Sequence, residues 1–485
     1  MLSTHESLKE KLTQLEEVSR RLEPGRDIRN HISSQAIDYV DNFIENLPIL
    51  PGFKSGECEA LKKLSFEEQG KPLDELLDIL REEVDALGIN SASGAHLGYI
   101  PGGGIWTSAV ADLLAAATNR YAGISYSSPG AVEIENQIIK WLGKVVGYPD
   151  SAHGNLTSGG SIANLIAIKT ARDFHDIHSQ NVRNSVIYFS DHAHHCIKKA
   201  LDMTGLHEAV FRTIPMNSRY QMNTDALQQQ IEIDLQDGLN PFLIIATAGT
   251  TDTGAIDPLE RISELSSKYD TWFHIDAAYG GFFLLVDEIK ERFKGIEKSD
   301  SVVMDPHKTL FIPYGSGVVL VRHRDRLLNS FSEKAAYMKD SYNHHEISPA
   351  QTGPELSRHV RGLRMWLPLH LHGIEPFRAN LEEKLMLCRY FHHQIGEFGF
   401  ETGPEPELSI TCFRYPEDEN NEWTQKLLEA LHKDGRYFFS STIIDEKLWI
   451  RCAVVSFRTH LQEIESALKM IQEVSRSING AVNDK

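Results

Sequence analysis

The sequence is poor in the features that commit a chain to a membrane, to nucleic acid or to an oxidising compartment. No run approaches the roughly 18 apolar residues that a membrane helix needs, and the opening MLSTHESLKEKLTQLEE is too charged for the apolar core of a signal peptide. Five cysteines in 485 residues (Cys58, Cys196, Cys388, Cys412 and Cys452) are odd in number, scattered and without a C-x-x-C pair. That argues against a disulfide framework and against a zinc knuckle. Lys and Arg number 49 against 68 Asp and Glu, a formal net charge of -19, and no dense basic cluster interrupts the balance, which opposes binding to nucleic-acid phosphates. Low-complexity tracts and internal repeats are also missing. These absences predict a folded, soluble, cytoplasmic protein with neither membrane nor nucleic acid as a partner.

At 485 residues the chain exceeds the size at which a single core stops growing, so two or three substructures with a cleft between them are expected. Leu8, Leu12, Leu15, Val18 and Leu22 recur at helical spacing on an otherwise polar segment that ends at Pro24 and Gly25. Such a stripe needs a cover, either its own domain or a second subunit. A second helix is predicted over about 33–46, and a helical pattern over 72–87 gives way to SASGAHLGYIPGGGIW, a loop with five glycines. Amphipathic stretches at 109–119 and 131–146 follow. The runs 185–189, 242–248, 271–275, 301–304 and 317–322 are short, apolar and separated by helical stretches, the pattern of a mostly parallel sheet buried on both faces. Ligands of such α/β sheets sit outside the carboxyl ends of the strands. A long helical region to about 398, then strand-like pieces at 408–414 and 447–455 among helices, predicts a small α+β C-terminal domain.

Four segments carry candidate chemistry. Phe273-His274-Ile275-Asp276-Ala277-Ala278-Tyr279-Gly280-Gly281 is an apolar strand ending in one carboxylate, followed by small residues beside which a flat ring can lie; the plain alternative is a capping Asp at a turn. Ser301-Val302-Val303-Met304-Asp305-Pro306-His307-Lys308 carries a lysine inward at the end of a buried strand. Burial is expected to depress its pKa, giving the neutral amine that attacks an aldehyde. Pyridoxal phosphate (PLP) chemistry needs both that lysine and a carboxylate that keeps the pyridine nitrogen protonated. Thr157-Ser158-Gly159-Gly160-Ser161 opens a helix without Walker spacing; it reads as an anion site at a helix N-terminus or, more plainly, as an N-cap by Ser158. Ser190-Asp191-His192-Ala193-His194-His195 crowds three histidines at a strand end. Consecutive residues diverge there and no H-E-x-x-H partner exists, so an imidazole lying on an aromatic cofactor is the better reading than a metal site.

The combination resembles the group II PLP-dependent amino-acid decarboxylases, which include the aromatic L-amino-acid, histidine and glutamate enzymes. The likeness spans about residues 30–460 and rests on D-A-A-Y-G-G followed some thirty residues later by D-P-H-K. It implies the aspartate-aminotransferase type of α/β fold, with a helical N-terminal arm at 1–90 for dimerisation, a large PLP-binding domain at 91–370 and a small domain at 371–485. It further implies Lys308 as the Schiff-base lysine, Asp276 at the pyridine nitrogen, His194 and Ala278 on the two ring faces, and Gly159, Gly160, Ser161 and His307 around the phosphate. Thr247 would line the cleft, and Tyr337 in Ser332-Glu333-Lys334-Ala335-Ala336-Tyr337 matches the loop tyrosine that protonates Cα. Tyr99, Ile100 and Pro101 match a substrate-contacting segment, although Gly102, Gly103 and Gly104 stand where aromatic decarboxylases carry bulkier side chains. The expected partner is a small amino-acid substrate, in a homodimer whose active site lies at the interface.

The expected reaction is α-decarboxylation of an L-amino acid, aromatic in preference to acidic. Rival readings are decarboxylation of glutamate, aspartate or diaminobutyrate, another PLP carbon–carbon lyase or aldehyde synthase, a metal-dependent hydrolase, and a non-catalytic PLP-binding homologue. Arg358, Arg361 and Arg364 are candidates for a substrate's charged tail, or equally a solvated or dimer-pairing helix face.

Overall fold

The computed structural model describes residues 2–100, 102–332 and 346–483. The chain divides into two compact units, residues 1–90 and 91–485.

In the first unit, α1 (Leu2–Ser19) and α2 (Arg26–Asn46) are joined by a short 3-10 turn at Arg20–Leu22. Helix α2 starts several residues before the expected position. Gly25 adopts extended backbone as its N-cap, and Asp27 places a carboxylate in the first turn, where the helix dipole favours one. Short helices and a two-residue antiparallel ladder, Phe53↔Ile89 and Lys54↔Gly88, complete the unit. The apolar stripe of α1 lies open, with Leu8, Leu12, Leu15, Val18 and Leu22 between 54% and 88% exposed. Among the described residues of this unit, none covers that stripe.

The second unit is built on a seven-stranded sheet: β1 (His153–Thr157), β2 (Ser185–Ser190), β3 (Val210–Ile214), β4 (Asn240–Thr247), β5 (Trp272–Asp276), β6 (Ser301–Met304) and β7 (Gly317–Val321). Their spatial order is β1-β7-β6-β5-β4-β2-β3. Strands β2 to β6 pair in parallel where they meet, and β7 runs antiparallel to both β1 and β6. Every residue of β2, β5, β6 and β7 is buried, because helices cover both faces. Strands β1 and β3 were not expected. They sit at the two edges, and neither HGNLT nor VFRTI is apolar enough to stand out. Helix α3 (Gly160–Phe174) lies against β6 and β7 through small residues, among them Ala163, Ala167 and Ala171.

Beyond α4 (Glu375–Glu397), a four-stranded antiparallel sheet in the order β8-β9-β11-β10 is formed by β8 (Glu401–Thr402), β9 (Ile410–Arg414), β10 (Ser440–Ile444) and β11 (Lys447–Ala453). Phe391, Phe413, Phe439, Ile450 and Ile464 make its separate core. The glycine-rich loop runs along this sheet: Leu97 N–H donates to Phe438 O (2.8 Å), and Ala453 N–H donates to Leu97 O (2.7 Å). It then reaches the large sheet, where Gly102 N–H donates to His307 O at 3.1 Å. A Cβ at position 102 would stand 2.3 Å from Lys308 O and 2.7 Å from Phe311 Cα. The glycine is therefore required by backbone contact, whatever it does for a substrate pocket.

Candidate active site

Strand geometry brings the chemistry together. Asp276 ends β5, Thr247 ends the neighbouring β4, and the short helix Pro306–Thr309 after β6 carries His307 and Lys308. Across from them, α3 begins with Gly159 as its N-cap and without any side-chain cap. Ser158 thus does not cap this helix, and its first-turn N–H groups face a cavity of about 460 Å³. Gly159, Gly160, Ser161, His194, Thr247, Asp276, Ala278, His307 and Lys308 all line that cavity.

Asp276 is buried and held in one orientation, since Oδ1 accepts from Ala278 N–H (3.0 Å) and Oδ2 from Asn164 Nδ2 (3.1 Å). Lys308 Nζ forms an ion pair with Asp305 Oδ2 at 3.1 Å. Burial works to lower the Lys308 pKa, but the carboxylates of Asp305 and Asp276 outweigh it and raise the pKa above the ordinary lysine value. The depressed pKa expected from burial alone is thus corrected. Sequence points Lys308 inward and singles out Asp276, but it does not show that Asp305 and Asp276 both act on the amine. Burial lowers the pKa values of His194 and His307, which favours the neutral form of both imidazoles. Cys196 N–H donates to His194 Nδ1 (3.3 Å), and His307 Nδ1 is bonded to Ser316 O.

The loop residues fall elsewhere. Tyr99 is 55% exposed, with its ring 5.6 Å from Phe438, and Ile100 packs on the main core; neither lines the cavity. Pro101 and Tyr337 lie outside the described residues. Arg358 and Arg361 are buried rather than solvated. Arg358 pairs with Glu135 (2.8 Å) and Arg361 with Glu355 (2.7 Å), and both donate to Leu156 O. Arg364 pairs with Asp112 (2.9 Å). None of the three lines the cavity. Among the described residues, no group of three or more His, Cys, Asp or Glu side chains is placed to hold a metal ion.

Asn164, Cys196, Thr251, Asp305 and Tyr314 also line the cavity and were not foreseen. One of them had a readable signal: Asn164 follows Gly160 by four residues, one helical turn, so the two share a face. His192, whose role the sequence leaves open, lines the cavity too, with Nδ1 3.6 Å from Asp252 Oδ2.

An inward lysine, a fixed carboxylate at a strand end, imidazoles lining the same cavity and an uncapped helix N-terminus on a mostly parallel sheet define a PLP-dependent enzyme. The donor set fits that cofactor, and Gly160 lets the start of α3 close on the acid beside Lys308: a Cβ there would stand 2.8 Å from Asp305 Oδ2. Comparison with known proteins agrees. The model of the pyridoxal-dependent decarboxylase conserved domain matches residues 56–416. The aromatic-L-amino-acid decarboxylase of Bacillus atrophaeus is 31% identical over 95% of this chain and 98% of its own length. Tyrosine decarboxylase 2 of Narcissus pseudonarcissus is 28% identical over 90% and 92%. Among solved structures, Catharanthus roseus tryptophan decarboxylase in complex with L-tryptophan superposes with a TM-score of 0.87 at 23% identity, covering 94% of this chain and 99% of that one. The chain belongs to the pyridoxal-dependent decarboxylase family and is a PLP-dependent amino-acid decarboxylase.

Proposed function

We propose that the protein converts an aromatic L-amino acid to its primary amine and CO2. The observation that carries this reading is the convergence of Lys308, Asp276, His194 and the uncapped start of α3 on one cavity; the aromatic preference rests on the relatives. When bound, PLP supplies an electron sink for the pair released as the carboxylate departs. Lys308 provides the amine that holds the cofactor's aldehyde. Asp276, oriented by its two N–H donors, would hold a proton on the ring nitrogen, a placement of charge of the kind that dominates catalysis. His194 and Ala278 would flank the ring, and Thr247 would line the cleft beside it. The α3 N-terminus with Gly159, Gly160 and Ser161, assisted by His307, would bind the phosphate. Tyr337 is assigned the proton delivered to Cα, and Tyr99, Ile100 and Pro101 the substrate contact.

The domain assignment follows the same reading: an arm at 1–90, a large domain at 91–370 and a small one at 371–485. The open stripe of α1 supports a homodimer, since apolar surface of that extent usually marks an interface. The cytoplasm is the proposed location.

The test is a decarboxylation assay with PLP across the twenty L-amino acids plus 2,4-diaminobutyrate, following CO2 and amine, beside a Lys308→Ala control. Amine from aromatic substrates alone, lost in the control, supports the reading. Amine from acidic substrates or from diaminobutyrate alone overturns its aromatic part. Tyr337→Phe is expected to retain cofactor and, with dissolved O2 as oxidant and water, to divert product from amine to aldehyde, with release of CO2, ammonia and hydrogen peroxide; unchanged amine output would remove Tyr337 from its role.

A further inference from the structure

Trp272, His274 and Asp276 alternate along β5 and so share one face of the sheet. The register sets Ser301 of β6 beside His274. With Asn164 from α3 these side chains form a continuous buried chain of hydrogen bonds. The indole of Trp272, which can only donate, gives its N–H to Ser301 Oγ at 2.9 Å. Ser301 lies 2.8 Å from His274 Nδ1 and has its own hydrogen to give there. The single proton of the neutral imidazole then sits on Nε2, which donates to Asn164 Oδ1 at 2.7 Å. The Asn164 amide is thereby turned so that its NH2 meets Asp276 Oδ2 at 3.1 Å. Asp276 sets these directions: its carboxylate takes the Asn164 NH2, so Asn164 Oδ1 is left to accept from Nε2–H, and Nδ1 of the neutral ring is left to accept from Ser301. Burial, the largest influence on His274, lowers its pKa to about 4, consistent with the neutral ring this chain requires.

We propose that His274 is a positioning residue for the cofactor carboxylate: by holding Asn164 Oδ1, it keeps a donor rather than an acceptor against Asp276, and so keeps the Asp276 carboxylate aimed into the cavity. The inference rests on the reading that Asp276 meets the cofactor's ring nitrogen. Without the imidazole, Asn164 is free to turn its carbonyl oxygen toward the carboxylate.

His274→Leu removes the donor at similar volume, whereas His274→Gln can set an amide N–H where Nε2–H stands. The dissociation constant of PLP is measured by titrating apoprotein, together with the pH dependence of the visible band of the holoprotein and the melting temperature, with Asp276→Ala as reference. His274→Leu is expected to weaken PLP binding by about tenfold or more, the worth of a hydrogen bond to a charged group, and to move the pH midpoint of the band; His274→Gln is expected to restore most of both. Wild-type affinity and band in His274→Leu overturn the proposal, as does a His274→Gln protein that folds but is equally impaired. If Asp276→Ala itself leaves affinity and band unchanged, the assignment of Asp276 has failed first and takes the proposal with it. Should His274→Leu not fold, Asn164→Ala removes the donor that the imidazole holds against Asp276; a shift in the same direction supports the chain, and wild-type affinity and band overturn it.

Discussion

Asp305 is the acid that pairs with Lys308, the lysine proposed to hold the cofactor, and removing its charge tests how the site governs that amine. The carboxylate is buried, its Oδ2 stands 3.1 Å from Nζ, and its Oδ1 has no hydrogen-bond partner. Two unit charges at that separation attract by about 5 kcal/mol at an effective dielectric constant near 20. Relaxation of the lysine toward Asp276, the second acid acting on it, returns part of this. An opposite charge this near typically commands about a 10- to 1,000-fold change in the fraction of neutral amine. Asp305→Asn keeps the shape and removes the charge, so apoprotein carrying it is expected to bind PLP faster below about pH 8, because only the neutral amine attacks the aldehyde. The assay is the rate at which the visible band appears after PLP is mixed with apoprotein, taken from about pH 6 to pH 10 for both proteins. A displaced profile, with the variant reaching its plateau at lower pH, is the expected result. Superimposable profiles would refute the argument and leave Asp305 as a packing residue.

Other consequences can be checked separately. Gly102→Ala forces a methyl against Lys308 O and Phe311 Cα; a loss of about 1–3 kcal/mol in denaturant unfolding is expected, together with weakened PLP binding because the lysine's own backbone shifts. Arg358→Met strands Glu135 in a site where burial already raises its pKa to about 7. The expected cost is about 3–5 kcal/mol near pH 8, less in acid as Glu135 takes up a proton. Asp257 accepts from Thr247 N–H and Met222 N–H, and burial raises its pKa to about 6. Between about pH 4 and 6 the native state therefore holds a proton that the unfolded chain has lost, and wild-type stability should fall relative to Asp257→Asn by up to about 3 kcal/mol as pH rises through that window. Parallel stability profiles for the two proteins would contradict this.

Much of the fold was legible because buried strands announce themselves. The runs that became β2, β4, β5, β6 and β7 are apolar on both faces, and only a sheet covered on both sides selects such runs. The edge strands β1 and β3 were missed because an edge strand needs less apolar surface, and the antiparallel course of β7 leaves no mark in its sequence. At the site, the spacing of D-A-A-Y-G-G and D-P-H-K gave Asp276 and Lys308, each at or just after a strand end, where a parallel sheet presents its ligand groups.

What the sequence determined by itself is the set of groups available: an inward lysine, a strand-end carboxylate, histidines and a glycine-led helix start, all fixed by periodicity and local backbone chemistry. What only the tertiary structure decided is the state of those groups. Asp305 and Asp276 raise the Lys308 pKa against the pull of burial, Asn164 from another element orients Asp276, and Arg358 and Arg361 are spent on Glu135 and Glu355 instead of a substrate. Protonation and hydrogen-bond direction depend on neighbours within a few ångströms, and those neighbours lie tens to hundreds of residues away along the chain.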